Sequence, residues 1–202
     1  MNNFQQTREV IRYSSKYIKG KALDLGAGHA KYKSIISNFC DEYIALDIFP
    51  GKNIDVVHDI LNTPFEDNSF DTIICTQVLE HIKEPWLVVE EIRRLLKPNG
   101  ICILTAPFLQ PYHQDPEDFF RYTKQGLASL FEKFEIIENG SYGKTFVTIA
   151  EFIKFIYFDP YKKSSKIRAK ALRGIQKITG LLDGFGKSNK IYSNSYVIAK
   201  KI

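Results

Sequence analysis

Short unbroken apolar runs alternate along this chain with stretches in which apolar residues fall every third or fourth position, and that alternation predicts an open α/β sheet flanked by helices. Phe4, Val10, Ile11, Tyr13, Tyr17 and Ile18 sit among charged residues and predict an amphipathic helix over 4–19 that ends at Gly20. Ala22, Leu23 and Leu25 read as the first strand. Tyr32, Ile35, Ile36 and Phe39 predict a helix over 30–39, followed by strands at Tyr43–Ile48 and Ile54–Ile60. Residues 70–75 form a fourth strand with a polar exit and a short helix at Leu79–His81. A longer helix follows from Trp86 to Leu96, with Val88, Val89, Ile92, Leu95 and Leu96 on one face and Glu90 spaced to pair with Arg94. Lys97-Pro98-Asn99-Gly100 stops it, and Ile101–Ala106 is the fifth strand. Thr123 caps a helix over 124–132; strands at Phe134–Glu138 and Tyr192–Lys200 complete the set.

Between the last two strands the pattern changes. From Lys144 to Lys190 there are eleven Lys or Arg against three acidic residues, a local balance of +8 against the chain's +5, so the remaining chain is about −3. Phe146–Phe158 is apolar on most sides as a helix, and Ser164–Ile178 is basic with Ile167, Leu172, Ile175 and Ile178 at helical spacing. The reading is a single domain over 1–202 with a helical basic insertion at 144–188. Such an insertion can lid a site, form the face of a homodimer, or lie on an anionic membrane through 146–178. Nucleic acid is not favoured as a partner, because few aromatics interleave with the basic residues after Tyr161.

Composition adds exclusions. The apolar fraction of 44% and charged fraction of 25% are those of a globular chain. Cys40, Cys75 and Cys102 are odd in number and far apart, which suits free thiols in a reducing cytoplasm. The polar N-terminus carries no signal-peptide pattern, and no run approaches the roughly 18 apolar residues of a membrane span. A cytoplasmic protein is expected, with contact at the inner face of the membrane left open. His29, His58, His81 and His113 show no close pairing at metal-ligand spacing, and no metal is expected.

The candidate chemistry starts at Lys21–Lys31. Gly26 and Gly28 after a buried strand allow a sharp turn and close approach of backbone to a ligand. A dinucleotide fingerprint needs a small residue where this chain has Lys31, which argues against NAD. Asp47 ends the second strand 23 residues after Asp24, close to the roughly 20-residue offset at which a carboxylate meets a ribose diol.

The order Asp24-Leu25-Gly26-Ala27-Gly28-His29-Ala30 resembles motif I of the class I S-adenosylmethionine-dependent methyltransferases. From Pro64 to Phe108 the words P-F-x-D-x-S-F-D, L-E-H and L-K-P-x-G follow in the order and spacing of the type-11 group of that family. The resemblance covers about 21–108 and, more weakly, reaches 135. It implies a Rossmann-like class I methyltransferase fold, a seven-stranded mostly parallel sheet with helices on both faces and an antiparallel last strand, and S-adenosyl-L-methionine as cofactor. It also implies Asp24, Gly26 and Gly28 at the methionine end, Asp47 and Ile48 at the ribose, and Asp59 and Ile60 at the adenine. Cys75, Thr76, Gln77 and His81 would line the exit of the fourth strand.

Open α/β sheets bind ligands beyond the carboxyl ends of their strands, where the loop Pro107–Tyr122 emerges. His113 is the candidate general base, with Asp115 or Asp118 to orient it, and Tyr112, Phe119 and Phe120 to exclude water. Tyr112, Arg121 and Tyr122 are candidate acceptor contacts, Arg121 as an anchor for a carboxylate or phosphate or else as the ion-pair partner of Asp118. The words H-x-x-P-x-D-F-x-R-Y-T are loosely similar to a loop of type-11 members linked to glycan synthesis. The expected activity is methyl transfer to oxygen of a small-molecule or glycan- or lipid-linked acceptor. The alternatives are a non-catalytic cofactor-binding scaffold or membrane-docking subunit, and an RNA methyltransferase.

Overall fold

The computed structural model describes residues 4–113, 117–157 and 191–202, with Gly174, Leu181 and Asp183 between the last two stretches. The strands are β1 (Lys21–Leu25), β2 (Glu42–Asp47), β3 (Val56–Val57), β4 (Phe70–Thr76), β5 (Leu96–Pro107), β6 (Phe134–Tyr142) and β7 (Asn194–Lys201). They form one sheet in the order β3-β2-β1-β4-β5-β7-β6. Every pairing from β3 to β5 is parallel, and β7 runs antiparallel between β5 and β6. The chain travels outward from β1 through β2 to β3, then returns to lay β4 on the other side of β1. That reversal opens a crevice at the carboxyl ends of β1 and β4.

Side-chain alternation divides the core into two layers. Leu23 and Leu25 of β1 face one side, with Phe70, Ile73 and the apolar stripe Val88, Val89, Ile92 and Leu95 of helix α3 (Pro85–Leu95). Ala22 and Ile74 face the other, against Val10 and Ile11 of α1 (Thr7–Ser14) and Ile35 and Ile36 of α2 (Lys33–Ile36). At roughly 1.5–3 kcal/mol per buried large aliphatic, these two layers supply the main stabilisation.

Several elements depart from the sequence reading. The helix expected over 30–39 shrinks to α2, because Ala30 adopts φ +49 and the chain from Gly28 onward turns before it coils. Phe39 is consequently half exposed. The third strand keeps only Val56 and Val57, since an edge position gives it a single neighbour. Lys97–Gly100 does not lie between helix and strand: β5 starts at Leu96, and Asn99 at φ +62 bulges the strand so that pairing steps from Phe70–Leu96 to Thr72–Ile101. Helix α4 (Lys124–Ser129) is shorter than expected, yet Thr123 caps it as predicted, accepting from the Gly126 amide at 3.0 Å. Glu90 pairs with Lys133 at 2.8 Å, while Arg94 binds Glu91, Asp67 and the Phe65 carbonyl. Glu91 in turn accepts from the amide and hydroxyl of Thr63. The Thr63–Asp67 turn is thus tied to α3, which explains why those residue types occur in that order.

In the insertion, α5 (Thr145–Tyr157) is described, and the Asp183 carboxylate accepts from the Phe146 and Val147 amides at its first turn. The basic helix expected over 164–178 lies outside the described residues. Among the described residues no helix is long and apolar enough to cross a membrane.

Candidate active site

The β1 strand is extended through Leu25, and the chain must then reverse above the sheet. Gly26 does so at φ +72, with the positions of its amide and that of Ala27 fixed by the Leu46 carbonyl of β2 at 2.9 and 3.0 Å. A side chain at Gly26 would stand 2.5 Å from Val78 Cγ2, so the residue there has to be glycine. Gly28, at φ +58, has no atom within 4 Å of where a Cβ would project. The two glycines therefore serve different ends: one lets the chain pack, the other leaves space.

That space belongs to a cleft of about 430 Å³ lined by Gly26, Gly28, Asp47, Asp59, Gln77 and His81, with Ile48, Phe49, Ile60, Val78 and Ile82 as its apolar surfaces. Asp47 ends β2 with Oδ2 accepting from the Gly28 amide at 2.7 Å and Oδ1 from the Phe49 amide at 3.0 Å. Each oxygen keeps a lone pair for a further donor. Asp59 caps its own turn through the Leu61 amide at 2.9 Å and is otherwise exposed. Carboxylates for hydroxyls and an amine, apolar walls for a flat ring and an open glycine backbone fit the adenosyl part of S-adenosylmethionine.

Asp24 does not line this cleft. It shares the face of Ala22, is 2% exposed, and accepts from the Tyr43 hydroxyl at 2.7 Å. Burial pushes its pKa up to about 6, the Tyr43 bond opposing that rise, with Asp47 adding to it and Lys31 drawing it back. A buried carboxylate of this kind gains from a cation placed nearby. The Cys75 thiol is also withdrawn, fully buried in the core with its pKa raised by desolvation, so the β4 exit is presented by Thr76 and Gln77 instead.

Gln77 sits at φ +57, a conformation that costs a non-glycine residue of order 1 kcal/mol. Its amide donates to the Thr105 carbonyl at 2.9 Å, and its side chain to Thr105 Oγ1 at 3.1 Å and Tyr142 Oη at 3.4 Å. So held, Gln77 borders both the cleft and a polar recess of about 380 Å³ that includes Arg8, Lys31, Tyr32 and Gln110. Gln110 continues into a third cavity of about 470 Å³ lined by Leu109, Pro111, His113, Lys144 and Glu151. Arg8 and Gln110 were missed by sequence reasoning, and Lys31 was noticed only as an obstacle to helix packing. Only the fold lays α1 across the β4 exit.

The loop after β5 folds back on the Leu79–His81 turn. Phe119 donates its amide to the Glu80 carbonyl at 2.7 Å, Tyr122 its hydroxyl to the Leu79 carbonyl at 3.1 Å, and His81 Nδ1 faces the Glu117 carbonyl. The His81 and His113 rings meet edge to face at 5.3 Å. The two residues, 32 positions apart in sequence with no metal-ligand spacing between them, become neighbours only in the fold. Glu80, 1% exposed, lies beside them, and burial raises its pKa to about 7. Asp118 binds His113 through the main-chain amide at 2.8 Å, its Oδ2 lying 3.8 Å from the ring; Asp115 is outside the described residues.

Two acceptor contacts need correction. Arg121 is spent within the loop: it forks onto Asp118 and donates to the carbonyls of Gln110, Pro111 and Phe120, leaving no free edge for an acceptor anion. Tyr122 is buried with its hydroxyl engaged. Tyr112, 65% exposed, keeps its side chain available at the loop's surface.

Comparison with known proteins matches residues 23–104 to the family described as Methyltransferase domain. A demethylmenaquinone methyltransferase of Staphylococcus haemolyticus is 34% identical over 145 residues, covering 62% of this chain and 61% of that protein. The chain spans less than two thirds of the length of the curated relatives it matches first. Among solved structures, a SAM-dependent methyltransferase from Archaeoglobus fulgidus has a TM-score of 0.63 at 15% identity over 96% of this chain and 95% of that one. The [4+2]-cyclase SpnF has a TM-score of 0.60 at 18% identity over 96% of this chain and 79% of that one.

Proposed function

We propose that this chain, whose residues 23–104 match the family described as Methyltransferase domain, moves a methyl group from S-adenosylmethionine to a hydroxyl of a small or glycan- or lipid-linked acceptor. The observation that carries the reading is that three cavities share lining residues, Gln77 between the first two and Gln110 between the last two. That neighbourhood supports reading them as an adenosyl cleft, a charged recess for an amino acid and an acceptor cavity. The printed name of the Staphylococcus relative, a methyltransferase of demethylmenaquinone, supports a small-molecule acceptor.

When bound, S-adenosylmethionine supplies a methyl on a sulfonium, which becomes a neutral thioether as the methyl leaves. The chain's part is alignment and proton removal. Asp47 accepts from the ribose diol and Asp59 from the adenine amine. Arg8 or Lys31 pairs with the amino-acid carboxylate, and buried Asp24, which lines none of the three cavities, would favour the ammonium through its charge. His113, at the wall of the acceptor cavity, takes the hydroxyl proton as the new C–O bond forms. The excess of Lys and Arg in the sequence from 144 to 190 would attract an anionic acceptor or the lipid surface that carries it.

The rival is a protein that binds the cofactor and transfers nothing. Purified chain is titrated with S-adenosylmethionine by calorimetry, then incubated with hydroxylated acceptors while S-adenosylhomocysteine is measured. Binding followed by product that His113→Ala suppresses supports the transferase. Binding with no product from any acceptor supports the scaffold, and absence of binding ends both.

A further inference from the structure

We propose that Glu80, His81 and His113 bind a divalent transition-metal ion at the seam between the cofactor cleft and the acceptor cavity. One ligand atom from each lies within 4.8 Å of the others, and His81 Nε2 is 3.7 Å from Glu80 Oε1. Closing these gaps to the spacing set by bonds of about 2.0–2.2 Å takes a movement of roughly 1 Å, within reach of side-chain rotation.

The proton positions favour an ion. A carbonyl oxygen only accepts, so His81 Nδ1, facing the Glu117 carbonyl, carries its hydrogen and leaves the lone pair on Nε2. His113 Nδ1 faces the Pro111 carbonyl at 3.2 Å and is fixed the same way. Imidazoles whose second nitrogen donates to a backbone carbonyl are the arrangement that orients metal-ligating histidines. Glu80 Oε2, on a side chain 1% exposed, has no hydrogen-bond partner among the described residues. A buried carboxylate oxygen left unpaired is costly, and an ion would remove that cost. Asp118 does not compete, because its charge is committed to Arg121.

Two neutral imidazoles and one carboxylate suit Zn²⁺, Co²⁺ or Fe²⁺; Mg²⁺ and Ca²⁺ prefer oxygen alone. Three protein ligands leave an open position, and His113 borders the acceptor cavity while His81 borders the cofactor cleft. An acceptor hydroxyl taking that position is acidified by the ion and loses its proton to water in the open cavity. With the ion bound His113 acts as ligand and the ion does the acidifying; His113 serves as the base only in the metal-free chain. This role rests on the transferase reading; the ion site itself does not.

The test uses the untagged full chain, stripped with a chelator and titrated with Co²⁺ alone, read by its visible absorption and by equilibrium dialysis. One ion per chain is expected, with affinity at least tenfold weaker in His113→Ala and in the more conservative Glu80→Gln, both checked for native far-ultraviolet dichroism. Azide should shift the Co²⁺ spectrum through the open position. Absence of Co²⁺ uptake, or uptake unchanged in both folded variants, overturns the site, and a spectrum indifferent to azide overturns its role toward an acceptor. Calorimetry with S-adenosylmethionine on the stripped protein separates the two readings: cofactor bound without Co²⁺ uptake defeats the metal site alone, and Co²⁺ bound without cofactor defeats the transferase alone.

Discussion

At the scale of single residues the two turn glycines separate folding from binding. Gly26→Ala meets Val78 and a left-handed φ together, so the protein should lose roughly 2 kcal/mol or more in urea denaturation. Gly28→Ala meets only the φ penalty, about 1 kcal/mol, yet its methyl projects into open cleft. It should leave the unfolding midpoint nearly intact while S-adenosylmethionine affinity falls at least tenfold by calorimetry. Asp24 makes a second contrast. Its pKa of about 6 in the fold stands above the ordinary carboxylate value near 3.9, so the fold prefers the protonated form. Its contribution is complete below about pH 4, is lost as pH rises to about 6, and leaves a constant deficit of roughly 2–3 kcal/mol above that. Asp24→Asn should therefore be more stable than the parent at pH 7.5 and indistinguishable from it at pH 4, by urea midpoints. If Asp24 meets the cofactor's ammonium, that gain comes with weaker binding, and the parent's own affinity should fall as pH drops through 6. A variant no more stable at pH 7.5 would mean that Asp24 is ionised without penalty.

At the scale of elements, what the sequence made legible was whatever depended on local pattern. All seven strands and the Thr123 cap could be read, because strand cores are runs of aliphatics and a cap needs only one hydroxyl before a helix. Asp47 and the glycine turn were legible through spacing. The shortened α2 was not, since Ala30 in a left-handed conformation carries no residue-type signal. Nor was the Glu80–His81–His113 cluster, whose members approach only because the loop after β5 docks on the Leu79–His81 turn. Arg121 shows the same limit: its sequence offered an anion anchor or a partner for Asp118, and only the loop's carbonyls decide between them. Arg121→Ala should strand the buried Asp118 carboxylate and release the loop, costing about 3 kcal/mol or more of stability. Turnover should fall with it, while S-adenosylmethionine affinity stays within twofold. An Arg121→Ala protein with parental Tm and a raised acceptor KM would restore the anchoring role.

For the molecule as a whole, the sheet order places the three cavities described above near the carboxyl ends of β1, β4 and β5, so the ligand clefts and the two core layers share the same strands. Binding at such a position cannot be local: the Asp47 carboxylate is joined to the Gly28 turn, and Gln77 to both Thr105 of β5 and Tyr142 of β6. A ligand that binds only the folded chain at a hundred times its Kd adds about 2.7 kcal/mol. For a domain of this size that amounts to roughly 5–10 °C in Tm. S-adenosylhomocysteine, the cofactor without its methyl, should produce this rise in a thermal scan. Asp47→Ala should weaken binding by roughly 1.5–3 kcal/mol through lost charge-assisted hydrogen bonds, and most of the rise should disappear at the same ligand concentration. NAD at equal concentration should give none, because Lys31 occupies the position where a dinucleotide site needs a small residue. An equal rise with NAD, or a full rise in Asp47→Ala, would place the ligand somewhere other than the cleft lined by Gly28, Asp47 and Gln77.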